Sequence, residues 1–148
     1  MSEWFHVKVK FLRQMNNGTI KKVLEQYLVD AMSFSESESR VLGEIGEGMR
    51  EVTMMAASRS PIKEVVMHGD TDLFFKVKVT YNTMDEDTEK EKKTTTYLLV
   101  NANDVKEAYE RTEEHLRDML VPFTIPEVKE SPILEVFMYQ PGLKHQTA

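Results

Sequence analysis

Ser60-Pro61-Ile62-Lys63-Glu64-Val65-Val66-Met67 returns further along the chain as Ser131-Pro132-Ile133-Leu134-Glu135-Val136-Phe137-Met138, at a spacing of 71 with six of eight positions identical. Other segments fall in the same frame. Trp4-Phe5-His6-Val7-Lys8-Val9-Lys10-Phe11 aligns with Phe74-Phe75-Lys76-Val77-Lys78-Val79-Thr80-Tyr81 at 70. Lys21-Lys22 aligns with Lys92-Lys93, and Leu28-Val29-Asp30-Ala31 with Leu99-Val100-Asn101-Ala102, both at 71. Matches in one order at nearly one offset read as an internal duplication, the first property to seek in a chain of unknown fold.

Each copy has the same local grammar. Phe5, Val7, Val9 and Phe11 alternate with His6, Lys8 and Lys10, the two-residue period of a half-buried strand. Asn16-Asn17-Gly18 supplies residues that tolerate a positive φ, so Ile20 to Ala31 is expected to return as a hairpin partner. In the second copy the turn is longer and acidic, Thr83 to Glu91. Ser33-Phe34-Ser35-Glu36 is a capping box, and Asp104-Val105-Lys106-Glu107 keeps its acceptor and its glutamate. The helices that follow carry Val41, Ile45 and Met49 on one stripe, and Ala108, Thr112, Leu116 and Leu120 on the other. Gly43, Gly46 and Gly48 should make the first helix the weaker and shorter, at roughly 1 kcal/mol per interior glycine. Third strands are expected at Val52-Thr53-Met54 and Phe123-Thr124-Ile125. Fourth strands are expected at Ile62 to Met67 and Ile133 to Met138, with Pro61 and Pro132 at their starts, where a missing N–H is tolerated.

The expected fold class is therefore α+β: two β-β-α-β-β repeats, 1–70 and 71–139, each a two-layer sheet-plus-helix related to the other by a pseudo-two-fold, then a flexible tail at 140–148. The sequence leaves open whether the repeats share one sheet or form separate lobes. At 148 residues, 41% hydrophobic and 30% charged, the chain can bury a core without covalent staples. It has no cysteine, which excludes disulfides and thiolate metal sites. The start, Met1-Ser2-Glu3-Trp4, lacks the basic and apolar regions of a signal peptide. No apolar run of about 18 residues occurs, so no membrane helix is expected. A cytoplasmic location, or an intracellular one in an infected host, follows as an expectation.

Trp4-Phe5 with Val7-Lys8-Val9, the run Tyr27-Leu28-Val29-Asp30-Ala31-Met32-Ser33-Phe34, Phe75-Lys76-Val77-Lys78, Lys92-Lys93-Thr94 and Leu99-Val100 together resemble a family of short uncharacterised proteins from Bacteroidetes and their phages, a domain of unknown function. The resemblance spans nearly the whole chain. Its motifs are strand and cap residues, and it implies no catalytic residues.

Function must then come from the surface. If Val7, Val9, Val77 and Val79 face the helices, Trp4, His6, Lys8 and Lys10 face away, as do Phe74, Lys76, Lys78 and Thr80. One lysine of each pair, Lys21-Lys22 and Lys92-Lys93, could join them. An aromatic residue followed by lysines on two equivalent strands is the pattern of a stacking platform with an electrostatic track, which holds single-stranded nucleic acid. The candidate nucleic-acid-binding residues are Trp4, Lys8, Lys10, Phe74, Lys76 and Lys78. The bland reading is that these lysines keep a solvated strand face soluble, and a net charge of −6 has the wrong sign for a nucleic-acid binder. The alternative is a protein–protein module: an adaptor, a phage structural component or an inhibitor of a host protein, acting through a strand edge, the methionine-bearing strands or the acidic second helix. Its partner could equally be another copy of the chain.

Catalysis has no signature. Glu64 and Glu135 occupy matching positions but are more simply polar strand residues than an acid/base pair. His6, His68, His115 and His145 are scattered without metal-ligand spacing. Asp85-Glu86-Asp87-Thr88-Glu89 lacks the glycine and distal glutamate of a calcium loop. Serines 33, 35, 37 and 39 belong to a helix start, and no phosphate or dinucleotide fingerprint is present. Met54, Met55, Met67 and Met138 are expected to fill core gaps. The chain reads as a non-enzymatic binding protein with no cofactor and no metal.

Overall fold

A computed structural model describes residues 3–45 and 50–138. Gly46, Gly48 and Met49 of the expected first helix, and the expected tail 140–148 with His145, lie outside the described residues. The chain is α+β and mostly strand: β1 (Glu3–Gln14), β2 (Ile20–Ala31), α1 (Phe34–Ile45), β3 (Arg50–Arg59), β4 (Ile62–Val66), β5 (Phe74–Met84), β6 (Glu91–Asn101), α2 (Val105–His115), β7 (Phe123–Ser131) and β8 (Ile133–Phe137). The described residues form two four-stranded sheets, ordered β3-β1-β2-β8 and β4-β6-β5-β7.

The alternation in β1 becomes burial. Phe5, Val7, Val9 and Phe11 are buried and the residues between them are only partly so. Gly18, at φ +88°, closes the turn with its N–H donating to the Met15 carbonyl (2.9 Å). β2 then pairs antiparallel with β1 from Gln14↔Ile20 to Glu3↔Ala31. In the second hairpin the acidic tip is held by the Asp85 side chain, which accepts from the Asp87 N–H (2.9 Å). This is an Asx-type turn.

The third strands are longer than their apolar triplets suggested. β3 follows β1 through two register shifts, at Lys8/Val9 and Lys10/Leu12, and such bulges break the period by which a strand is recognised. β7 carries Pro126 opposite the shift between Lys78 and Thr80, on an edge strand where the missing N–H removes no needed bond.

The fourth strands join the sheets in an exchanged sense. β8 runs parallel to β2, from Gln26↔Ile133 to Val29↔Phe137. β4 runs parallel to β6, from Ile62↔Tyr97 to Val66↔Val100. Neither pairs with a strand of its own half of the sequence. The compact units follow this pairing: one takes the chain up to Ser60 and again from Ile133, the other spans Pro61–Pro132.

In the first unit α1 lies on the face formed by Phe5, Val7, Val9, Phe11, Tyr27, Val29 and Ala31, with Val41 and Phe137 completing the core. In the second, α2 covers Phe75, Val77, Val79, Leu98, Val100 and Ala102, with Ala108 and Val66. Each helix meets its sheet through small residues, Ser37 and Val41 or Ala108 and Thr112, all fully buried. The two hydroxyls bond within their own helix: Ser37 donates to the Phe34 carbonyl (2.6 Å), and Thr112 to that of Ala108 (2.8 Å). The expected caps form. Ser33 Oγ accepts from the Glu36 N–H (3.1 Å) and Asp104 from the Glu107 N–H (2.7 Å).

Three expectations are corrected. Leu120 is 99% exposed, because α2 ends at His115 with Leu116 at its C-cap. α1, with 12 residues against 11 for α2, is not the shorter helix. Gly43 lies on its exposed side, where nothing stands within 4 Å of an added Cβ, so its cost is propensity alone. Met55, Met67 and Met138 are exposed, while Met54 packs on the first core.

Candidate binding surface

The hairpin registers place Trp4, Lys8 and Lys10 on the helix-free face of the first sheet, and Lys76 and Lys78 on that of the second. Phe74 occupies the same face but is only 4% exposed. Its ring is therefore not open for base stacking, and the aromatic half of the expected platform is missing from the second sheet. Leu28 and Leu99, central on the two helix-free faces, are each 1% exposed.

The lysines differ between the sheets. The Lys76 ammonium sits over the Tyr97 ring, 4.6 Å from its centroid, and Lys78 stands opposite Glu127. In the first sheet Lys8 has Gln26 and Ala56 as cross-strand neighbours, and Lys10 has Leu24 and Thr53. Among the described residues no ion pair engages Lys8 or Lys10. His6 on the same face bonds Gln26 (2.7 Å).

The open surface lies farther out along the first hairpin. β8 begins its pairing at Gln26, so Ile20 to Glu25 of β2 has β1 on one side and, among the described residues, no strand on the other. Ile20 and Leu24 project from this segment at 55% and 54% exposure, with Lys22 between them on the same face and Lys21 exposed on the other. The corresponding stretch of the second hairpin, Glu91 to Thr96, is open in the same way, since β4 begins its pairing at Tyr97. There the chemistry changes: Ile20, Val23 and Leu24 are matched 71 residues on by Glu91, Thr94 and Thr95, while both lysines persist as Lys92 and Lys93. Polar and charged residues are the ordinary protection of an exposed strand edge. Both hairpins have their lysine pair, but only the first sets exposed aliphatic residues beside it.

The residues singled out for chemistry have structural partners. Glu64 is bound by His115 (3.0 Å). Among the described residues no group of three or more His, Asp or Glu could hold a metal ion. Glu25 bridges Arg13 (3.1 Å) and accepts a hydrogen bond from the Tyr27 hydroxyl. Burial, then this carboxylate, push the Tyr27 phenol well above its ordinary range, so it stays a neutral donor. A depression of about 340 Å³ at the end of β5 is lined by Thr80, Tyr81, Asn82, Lys93, Pro122, Phe123 and Thr124. There Thr80 bonds Thr124 (2.6 Å).

Sequence reasoning missed Asn101 and the two helix arginines. Asn101 is fully buried and uses its whole carboxamide on the loop before β5. Its oxygen accepts from the Gly69 N–H (2.8 Å) and the His68 N–H (3.4 Å); its nitrogen donates to the Thr71 and Leu73 carbonyls (both 2.9 Å). Arg111 donates to the Asn101 carbonyl (2.6 Å) and grips Asp70 with both nitrogens (3.0 and 2.6 Å). This grip holds the Asp70 carboxyl below the usual carboxylate range. Arg40 donates to the Asp30 carbonyl and to that of Met138 (2.6 Å). The signal was available: Arg40 and Arg111 are 71 apart, as are Asp30 and Asn101.

No described helix is long and apolar enough to cross a membrane. Comparison with curated proteins and with solved structures gives no match. A family model covers residues 3–139, nearly the full length described above, and on that match the chain belongs to the domain of unknown function DUF4494.

Proposed function

We propose that this chain is a non-enzymatic binding protein that engages another protein through the outer part of its first hairpin. The observation that carries the proposal is the pair Ile20 and Leu24, exposed on a strand segment with one open side, where the second hairpin has Glu91 and Thr95. Exposed aliphatic residues on an open edge invite association, and the matching positions of the second hairpin are polar. An intracellular setting and a partner from a host or phage belong to the same proposal. So does an origin of the two units by duplication with a pseudo-two-fold, which is supported by their matching sheet orders.

Single-stranded nucleic acid is the second reading, narrowed to Trp4, Lys8 and Lys10, and favoured by the absence of an ion-pair partner at either lysine among the described residues. One experiment separates the two. A double variant Ile20→Thr/Leu24→Thr and a double variant Lys8→Glu/Lys10→Glu are compared in a panned peptide library and in anisotropy titrations of a labelled single strand across a salt series. The protein reading expects peptides enriched on the native chain and lost on the threonine variant, with no salt-dependent strand binding. Strand binding that falls with salt and vanishes only in the glutamate variant would overturn it in favour of nucleic acid.

A further inference from the structure

We propose that the segment Ile20–Glu25 binds an extended peptide by strand addition, and that the peptide is acidic and aliphatic in alternation with the edge it meets. The proposal rests on the protein-binding reading above and specifies its mode and its ligand. Backbone N–H and C=O groups along a strand edge without a neighbour are a template for another strand. Six residues give roughly 20 Å of edge at about 3.3 Å per residue. The slot has a defined end, because at Gln26 the position beside β2 is taken by β8.

The side chains on the edge dictate the ligand. Along the segment they read aliphatic, basic, basic, aliphatic, aliphatic, acidic: Ile20, Lys21, Lys22, Val23, Leu24, Glu25. Glu25 is already neutralised by Arg13 (3.1 Å), so the free charge of the edge is that of Lys21 and Lys22, both exposed and, among the described residues, without an ion-pair partner. Opposite-charge and aliphatic cross-strand pairs stabilise a ladder, and like charges oppose it. A complementary strand therefore places two acids against the lysines and β-branched or leucine side chains against Ile20, Val23 and Leu24. The same charge argument disfavours a second copy of this edge, which would bring its own lysine pair. The second hairpin offers the internal control: its open stretch Glu91–Thr96 keeps the lysines and lacks the aliphatic residues.

The test uses the full chain and a labelled synthetic peptide with the core Val-Glu-Glu-Ile-Val, which matches the edge when it runs parallel to β2, as β8 does on the same flank; it is titrated by anisotropy, with a backbone N-methylated version of the same peptide beside it. Strand addition expects saturable binding of the parent peptide and at least a tenfold loss on N-methylation. It also expects a comparable loss in Ile20→Thr/Leu24→Thr and in Lys21→Glu/Lys22→Glu, and slowed amide exchange confined to Ile20–Glu25. The substituted side chains are exposed in the native chain, and circular dichroism verifies that the variants fold. Equal binding of the methylated peptide, or no new protection at Ile20–Glu25, overturns the proposal. If library peptides still depend on Ile20 and Leu24 in that case, the protein-binding reading survives and only strand addition fails. Self-association of the chain by sedimentation, abolished by the threonine variant, overturns the choice of ligand in favour of a second copy.

Discussion

Replacing Asn101 by alanine removes a single side chain that holds an entire connection. The carboxamide makes three hydrogen bonds of 2.8–2.9 Å and one of 3.4 Å to the backbone of His68, Gly69, Thr71 and Leu73. At about 0.5–1.5 kcal/mol net per bond, the three short ones contribute about 1.5–4.5 kcal/mol. His68, Gly69 and Leu73 are exposed, so water can reach the abandoned groups, and the lower half of that range, about 1.5–3 kcal/mol, is expected. Urea unfolding followed by circular dichroism should show the midpoint falling by about 0.5–3 M, given a slope of about 1–3 kcal/mol per molar. Amide exchange at Gly69 and Ala102 should accelerate, since the Ala102 N–H donates to the Leu73 carbonyl (3.2 Å) in the same connection. Asn101→Asp sharpens the test. It keeps the acceptor but turns a carboxylate oxygen toward the Thr71 and Leu73 carbonyls, which raises the folded-state pKa of the new acid above its unfolded value near 3.9. Its penalty should thus be largest at neutral pH and shrink as the pH falls through that raised pKa, when one donor returns. A change under about 0.5 kcal/mol in Asn101→Ala, with Gly69 exchange unaltered, would refute the assignment of this side chain as the organiser of the loop.

Gly43→Ala should stabilise the first unit by about 0.5–1 kcal/mol, read as a rise in the urea midpoint, because the added methyl meets nothing and the helix loses its least favourable residue. Asp104→Ala should cost about 1 kcal/mol through loss of the N-cap, and Asp104→Asn much less. The Asp70–Arg111 pair makes a pH prediction. An acid held below its unfolded pKa contributes stability above that value, near 3.9, and loses it as the pH falls through the lower folded pKa. Exchange protection of the 68–73 connection should therefore be constant near neutrality and decline in acid below about pH 4, with the decline absent in Asp70→Asn.

The parts of the fold that were legible in the sequence are those fixed by neighbours along the chain. The end of the first hairpin at Ile20–Ala31, both helix caps and both fourth strands follow from period, turn residues and capping chemistry, and they appear where expected. The pairing of the fourth strands was not legible, for a definite reason. Ile62-Lys63-Glu64-Val65-Val66 and Ile133-Leu134-Glu135-Val136-Phe137 share their buried ends and their glutamate, so either strand suits either sheet, and side-chain pattern alone cannot choose. The burial of Phe74 was not legible either, because alternation assigns a face but does not say whether a residue on it is open. The open edge at Ile20–Glu25 was equally hidden, since an edge is defined by where a neighbour stops. Once the neighbour is known, the contrast between Ile20, Leu24 and Glu91, Thr95 was in the sequence all along.

The exchanged fourth strands bear on how the chain can be made. β2 pairs with β8, which lies about a hundred residues farther along, whereas β4 is the first strand of the unit it completes. On a ribosome, which releases the amino end first at about 5–20 residues per second, the second unit has all its strands as soon as β7 emerges. The first, although synthesised first, must wait with one flank of β2 bare until nearly the last described residue appears. The order of completion is thus the reverse of the order of synthesis. A truncation after Met119 should leave the first unit without its last strand and the second without β7, and no cut between Ser60 and Ile133 can yield an intact first unit.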